Sequence, residues 1–267
     1  MASLNHYRRG QGEPLVLIHG IGSLWQMWEP VLDGLVTDRD VVALDLPGFG
    51  ASAMPPPGTP PGVDSLVTLV QDFLAQEGID RPHLAGNSLG GLIVLELARR
   101  GLARSATALS PAGFANRPET ALAQSSLWLG VRLARRFEGR ADTLLATRTG
   151  RRVALGLGME RAADLPVAQA AATVRALARA PWFDATLPTI GPLEFGPGQR
   201  PIPVPVTIGW GTKDRLLLPR QAKRAAALIP NARIVRLEGC GHVPTFDDPP
   251  AVTRLLLDGS AAKAQRA

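Results

Sequence analysis

The stretch Gly86-Asn87-Ser88-Leu89-Gly90 constrains this chain of 267 residues more than any other, because two glycines bracket a serine where an apolar strand-like run gives way to a helix-like one. A G-x-S-x-G turn at such a junction can lift a nucleophile above the edge of a sheet. Glycine at 86 and 90 predicts a strand and a helix packed too closely for side chains, with strained backbone angles at Ser88 itself. By itself the pentapeptide is a weak signal. Its meaning depends on whether the flanking segments build a sheet with helices packed on it.

They do so in pattern. Pro14–His19, Val41–Asp45, Arg81–Gly86, Ala106–Ser110, Val204–Trp210 and Ala232–Leu237 are short, apolar-rich and closed by turn residues, as buried parallel strands are, although Pro205 weakens the start of the fifth. Between them Val63, Leu66, Val70, Phe73 and Leu74 recur at three- and four-residue steps, the mark of one apolar helix face. Leu89–Arg100 and Pro219–Leu228 read the same way, the second with proline near its first turn. Strand alternating with helix predicts an α/β fold, a mostly parallel central sheet with helices on both faces.

Residues 112–198 break that rhythm. Rich in Ala, Leu and Arg, they hold helical stretches near Leu122–Phe137, Asp142–Leu157 and Val167–Ala180 and no convincing strand. This predicts a helical cap inserted between two parts of one core, residues 1–111 and 199–267. The insertion closes with a Gly/Pro-rich return, Leu193–Pro203; Pro55–Pro61 reads as an extended surface loop and Gly259–Ala267 as a frayed tail. Leu129, Leu133 and Phe137 share one stripe of a cap helix, which is expected to pack.

The formal charge of +6 rests on 26 Arg against 3 Lys, and 12 of those Arg face only 7 acids between Ala112 and Arg200. They alternate with Leu, Ala and Val at helical spacing without stacking aromatics. Solvated helix faces are therefore expected, not a nucleic-acid partner. Apolar residues make up 45% of the chain, yet no apolar run approaches the ~18 residues a membrane helix needs, so stable membrane insertion is not expected. One cysteine, Cys240, forbids an intramolecular disulfide, and the first residues lack an apolar secretory run; both predict a cytoplasmic protein.

Acyl transfer by serine needs a base within reach, an acid holding that base, and donors aimed at the developing oxyanion. His242, in Gly239-Cys240-Gly241-His242, follows the last predicted strand and alone among the four histidines comes after both Ser88 and a suitable acid. Asp214, in Trp210-Gly211-Thr212-Lys213-Asp214, lies directly beyond another strand and is the expected orienter. Asp247 and Asp248, after His242 and before Pro249-Pro250, suit the cap of the last helix better. Gly20-Ile21-Gly22 supplies flexible backbone at the first strand's end, which nominates the amides of Ile21 and Leu89 as oxyanion donors. Trp25, Trp28, Trp182, Phe183 and Val243 are candidate walls of the substrate pocket. Asp45 is expected to fix its own glycine-rich loop, His19 to bind neighbouring backbone, and Cys240 to be buried.

His19-Gly20-Ile21-Gly22, Asp45-Leu-Pro-Gly-Phe-Gly-Ala-Ser52, the elbow Gly86–Gly91, Gly211-Thr-Lys-Asp214 and Gly241-His242 together resemble the α/β-hydrolase fold family, in that family's order of nucleophile, acid and base. The resemblance runs from Leu4 to Leu257 and omits only the cap. It implies a cofactor-independent serine hydrolase acting on a small-molecule acyl substrate. Members that open epoxides or remove halide carry aspartate at the elbow, where this chain has Ser88. Members that cleave carbon-carbon bonds in ring-fission products are similar at Gly-Asn-Ser-x-Gly-Gly, but carry a Ser-Gly-Pro-Gly turn and a tryptophan where Ile21-Gly22-Ser23 and Val243 stand here. Ester hydrolysis is expected ahead of carbon-carbon hydrolysis. Acyl transfer or peracid formation on the same triad, and non-catalytic binding of a small molecule, also fit these residues.

Overall fold

The computed structural model describes residues 4–191 and 201–261. Seven strands form one sheet: β1 His6–Arg9, β2 Glu13–Ile18, β3 Arg39–Leu44, β4 His83–Asn87, β5 Ser105–Leu109, β6 Val206–Gly211 and β7 Ala232–Leu237. Their order across the sheet is β1-β3-β2-β4-β5-β6-β7, with β1 antiparallel to β3 and every other neighbouring pair parallel. The six sequence-predicted strands are all present. β1 has no counterpart in the sequence reading, because a short edge strand of half-buried and charged residues, His6-Tyr7-Arg8-Arg9, has no apolar run to betray it.

Alternation within the strands divides the interior in two. Val16, Ile18, Val42 and Leu44 point into one apolar cluster, while Leu15, Leu17, Val41 and Ala43 point into the other, as a side-chain period of two requires. The first cluster is closed by α2 (Val63–Gln76) and α3 (Leu89–Arg99) and reaches α9 (Gln221–Leu228). The second is closed by α1 (Glu29–Leu35) and α11 (Pro249–Ala261), which pack against one another. Helices thus cover both faces, as alternation of strand and helix implies. The expected tail is a helix end as far as Ala261: Gly259 is buried, and a Cβ there would lie 2.1 Å from Thr107 Oγ1.

Between β5 and β6 the described residues are helical: α4 Arg117–Phe137, α5 Ala141–Leu145, α6 Arg148–Leu155, α7 Val167–Ala178 and α8 Phe183–Thr186. α4 begins earlier than apolar periodicity suggests because Asn116 and Glu119 form a reciprocal capping box. The single stretch expected over Asp142–Leu157 is two helices, since Thr147 turns its side chain to cap the start of α6 through Gly150. A small cluster around Leu145, Met159, Ala162 and Leu165 holds these pieces together. Most of the Gly/Pro-rich return, and with it the far boundary of the insertion, lies outside the described residues. No described helix is long and apolar enough to cross a membrane. The short α10, Pro244–Asp247, completes the set beside α11.

Candidate active site

Four strand ends on the carboxyl edge of the sheet carry the residues singled out for chemistry. Ser88 separates β4 from α3 with φ 55 and ψ −116, a conformation that costs a non-glycine residue of the order of 1–3 kcal/mol. Its neighbours show why the turn is written with glycine. A Cβ on Gly86 would lie 2.2 Å from Gly90 O, and one on Gly90 would lie 2.1 Å from Ile18 O. Ser88 N donates to Leu109 O at 2.9 Å, while Ser88 O accepts from Leu92 N and Ala112 N, both at 3.0 Å. The surrounding backbone therefore holds the strained angles in place.

Asp214 follows β6 and is buried. Its Oδ1 accepts from Leu216 N and Leu217 N at 2.9 and 2.8 Å, and its Oδ2 accepts from His242 Nδ1 at 2.8 Å. That bond fixes the imidazole tautomer, with Nδ1 protonated and Nε2 left as acceptor. His242 is tied to the elbow through main chain: Asn87 Nδ2 donates to Leu109 O at 3.0 Å and to His242 O at 2.9 Å. Among the described residues the Ser88 hydroxyl itself makes no hydrogen bond. Such bonds commonly tighten only with substrate in place.

The loop carrying His242 has a second anchor. Asp247 accepts from Gly241 N at 2.7 Å, from Arg161 N at 2.7 Å and from Glu160 N at 3.2 Å. Expected as a helix cap, Asp247 instead joins the histidine loop to the insertion, and Asp248 alone caps α11 through Ala251 N at 3.0 Å. A carboxylate buried against backbone amides has no sequence signature separating it from a capping one.

Ile21 and Ser88 line the same cavity, and a Cβ on Gly20 would lie 3.2 Å from Ser88 Cβ, so the loop after β2 rests directly on the elbow. Leu89 is the first residue of α3, so its N–H has no partner within the helix and points from the positive end of the helix dipole. The other cavity walls are small or apolar: Ala112, Gly113 and Ala115 after β5, Ala123 and Leu127 of α4, Leu187, Ile190 and Leu216. Two polar side chains of α4 join them. Gln124 is occupied, donating to Leu187 O and Ile190 O at 3.1 and 3.2 Å, whereas Thr120 Oγ1 is buried without a partner.

None of the five aromatic and aliphatic residues expected in the pocket wall is in it. Trp28 is fully buried in the second core cluster, and Trp25 stacks on Tyr7 at 5.0 Å and donates its N–H to Asp45. Trp182, Phe183 and Val243 fasten the insertion to the core: Trp182 packs where Gly48 leaves room, Phe183 against Gly22, and Val243 N donates to Gly158 O at 2.8 Å. Sequence shows that such side chains will be buried, but not against what. Asn87, Thr120 and Leu216 received no role from the sequence. Asn87 could have been noticed as a polar residue inside an otherwise apolar strand.

The supporting residues sit as their surroundings demand. His19 donates from Nδ1 to Gly20 O at 2.7 Å and accepts from Leu46 N at 2.9 Å, and full burial pushes its pKa down, keeping the ring neutral. Asp45 gathers Trp25 N, Ala51 N and Asn5 Nδ2 around its own loop. Burial pushes the Cys240 thiol up to about 12, so it is not a nucleophile at neutral pH.

The model of the alpha/beta hydrolase family matches residues 15–255. The chain belongs to that family. This hydrolase is 30% identical to a pimeloyl-acyl-carrier-protein methyl ester esterase of Aromatoleum aromaticum, over 91% of the present chain and 96% of that one. It is 39% identical to a 2-hydroxy-6-oxo-2,4-heptadienoate hydrolase of Pseudomonas putida, but over only 34% of each chain. Among solved structures it superposes on a bacterial membrane phospholipase A with a TM-score of 0.75 and 26% identity, covering 97% of this hydrolase and 87% of the other chain.

Proposed function

We propose that the chain is a serine hydrolase that cleaves small to medium, largely apolar carboxylic esters through an acyl-enzyme, without a cofactor. The observation that carries this reading is the 2.8 Å bond between Asp214 Oδ2 and His242 Nδ1, on a loop that Asn87 ties to the strained Ser88 turn. Ser88 Oγ attacks the ester carbonyl as His242 Nε2 takes its proton, and the oxygen that becomes negative is received by the amides of Ile21 and Leu89. Collapse expels the alcohol, which leaves with the proton from Nε2. Water, deprotonated by the same nitrogen, then releases the acid and restores Ser88. Apolar walls around the hydroxyl support a hydrocarbon acyl or alkyl group, and the helices between β5 and β6 serve as the cap that roofs it.

The test is hydrolysis of a short-chain chromogenic ester by the native chain and by Ser88→Ala. The variant should lose at least about 10³-fold in kcat while unfolding at the same temperature. Equal rates would remove the serine mechanism.

Carbon-carbon hydrolysis is the second reading, supported by the partial identity to the heptadienoate hydrolase. Against it, the described cavity walls contain no Lys or Arg to receive the carboxylate that such a substrate carries. A dienoate ring-fission product turned over faster than any ester would reverse the order.

A further inference from the structure

The stripe of α4 that apolar spacing assigned to packing is not packed. Leu122, Leu129, Leu133 and Phe137 are 61%, 60%, 49% and 38% exposed. At 3.6 residues per turn the four fall within an arc of about 80°, along about 22 Å of helix. The opposite side of the same helix carries Thr120, Ala123, Gln124 and Leu127, which line the cavity beside Ser88. One helix thus separates the site from a solvent-facing apolar ridge. Leu129, Leu133 and Phe137 follow one another at four-residue steps, with Leu122 two turns ahead of them, and an exposed apolar row of this kind on a charged protein marks a binding face.

Charge identifies what it binds. Arg132 and Arg136 flank the ridge on one side, lying over the rings of Trp128 and Phe137 at 5.0 and 5.7 Å, and neither has a carboxylate partner among the described residues. The acids nearest in sequence are already engaged: Glu119 with Arg220 and Arg224, Glu138 with Arg179, Asp142 with Arg175. A second copy of this chain therefore offers no spare carboxylate from its own α4 region to meet these two cations. We propose that the outer face of α4 docks on an anionic lipid surface, the four apolar side chains entering the acyl boundary and the two arginines meeting lipid phosphates. The helix lies in the plane of the interface and does not cross it. An exposed apolar row edged by two cations without carboxylate partners among the described residues suits a fluid anionic surface. Docking would set the wall of the Ser88 cavity one helix diameter from the lipid.

Cosedimentation with vesicles tests this without reference to turnover. The native chain should pellet with phosphatidylcholine vesicles containing phosphatidylglycerol, much less with phosphatidylcholine alone, and less as salt rises. Arg132→Gln/Arg136→Gln should weaken binding to the anionic vesicles about fivefold per arginine. Leu129→Asp/Leu133→Asp should weaken it about tenfold or more. Both pairs should keep the circular dichroism spectrum, the unfolding temperature and hydrolysis of a soluble ester, and Ser88→Ala should bind vesicles as the native chain does. That last arm separates failure of docking from failure of the hydrolase reading. Absence of vesicle binding, or binding indifferent to the leucines, would overturn the proposal, the second result pointing to an anionic macromolecule instead. So would sedimentation velocity that finds a dimer dissolved by Leu129→Asp/Leu133→Asp, with no vesicle binding.

Discussion

α3 and α4 are both amphipathic by sequence and flank the same hydroxyl, yet they are held in opposite ways. Nine of the eleven residues of α3 are buried, and its start is pinned where Gly86, Gly90 and Gly91 allow backbone to touch backbone. Of the twenty-one residues of α4 only Glu119, Ala123, Val131 and Ala134 are buried; Ala123 and Val131, with the partly buried Leu127 and Trp128, pack on the first apolar cluster, and Gln124 adds bonds to Leu187 O and Ile190 O. The sheet side of the site is set by contacts with no slack. The roof is held along one narrow apolar edge and by a few directional bonds, and its outer side can be altered without unmaking the fold.

That contrast can be broken most severely at Gly90. Gly90→Val would drive carbon into Ile18 O, and the expected outcome is failure to recover folded protein; a soluble variant with native near-ultraviolet dichroism would show that the elbow has slack after all. Asp247→Ala comes next, because Asp247 is the joint between the two regions. Leaving the amides of Gly241, Glu160 and Arg161 without their acceptor should cost about 2–4 kcal/mol in urea unfolding and slow ester hydrolysis through the displaced His242 loop. An unchanged rate with lowered stability would show that the roof and the base are independent.

Acid isolates the sheet side, since all four histidines lie outside residues 112–198. Burial holds the pKa of both His19 and His83 below their ordinary 6.5. The unfolded chain therefore takes up protons more readily, so stability is full above about pH 6.5 and falls as pH drops through that value toward the folded ones. The urea midpoint should decline from about pH 7.5 to about pH 5.5, and His19→Gln should flatten part of that slope. The smallest effect is expected in the roof: Thr120→Val removes an unpartnered hydroxyl and should leave stability within about 0.5 kcal/mol. It should raise kcat/KM for purely hydrocarbon esters slightly, while lowering it for esters with a polar substituent.

The same contrast explains what could be read without coordinates. Six strands, the elbow, and the positions of Asp214 and His242 were legible because apolar runs, glycines at close approaches and turn residues are local consequences of the sheet. Trp28, Trp182 and Phe183 read in the sequence as candidate pocket walls and pack instead in the core or between the insertion and the core, since apolarity carries no direction. The stripe of Leu129, Leu133 and Phe137, which its spacing predicts to pack, is exposed for the same reason: a period of 3.6 tells that a helix has an apolar side, not whether another element covers it. β1 and the joint at Asp247 depend on pairings across the fold that leave no pattern in one segment.

Asn87 acts as a ruler. One short amide reaches both the end of β5 and the loop that bears the imidazole, so a single methylene sets how far that loop stands from the serine turn. A longer amide there would keep every chemical group of the site and yet push the imidazole loop away from the serine.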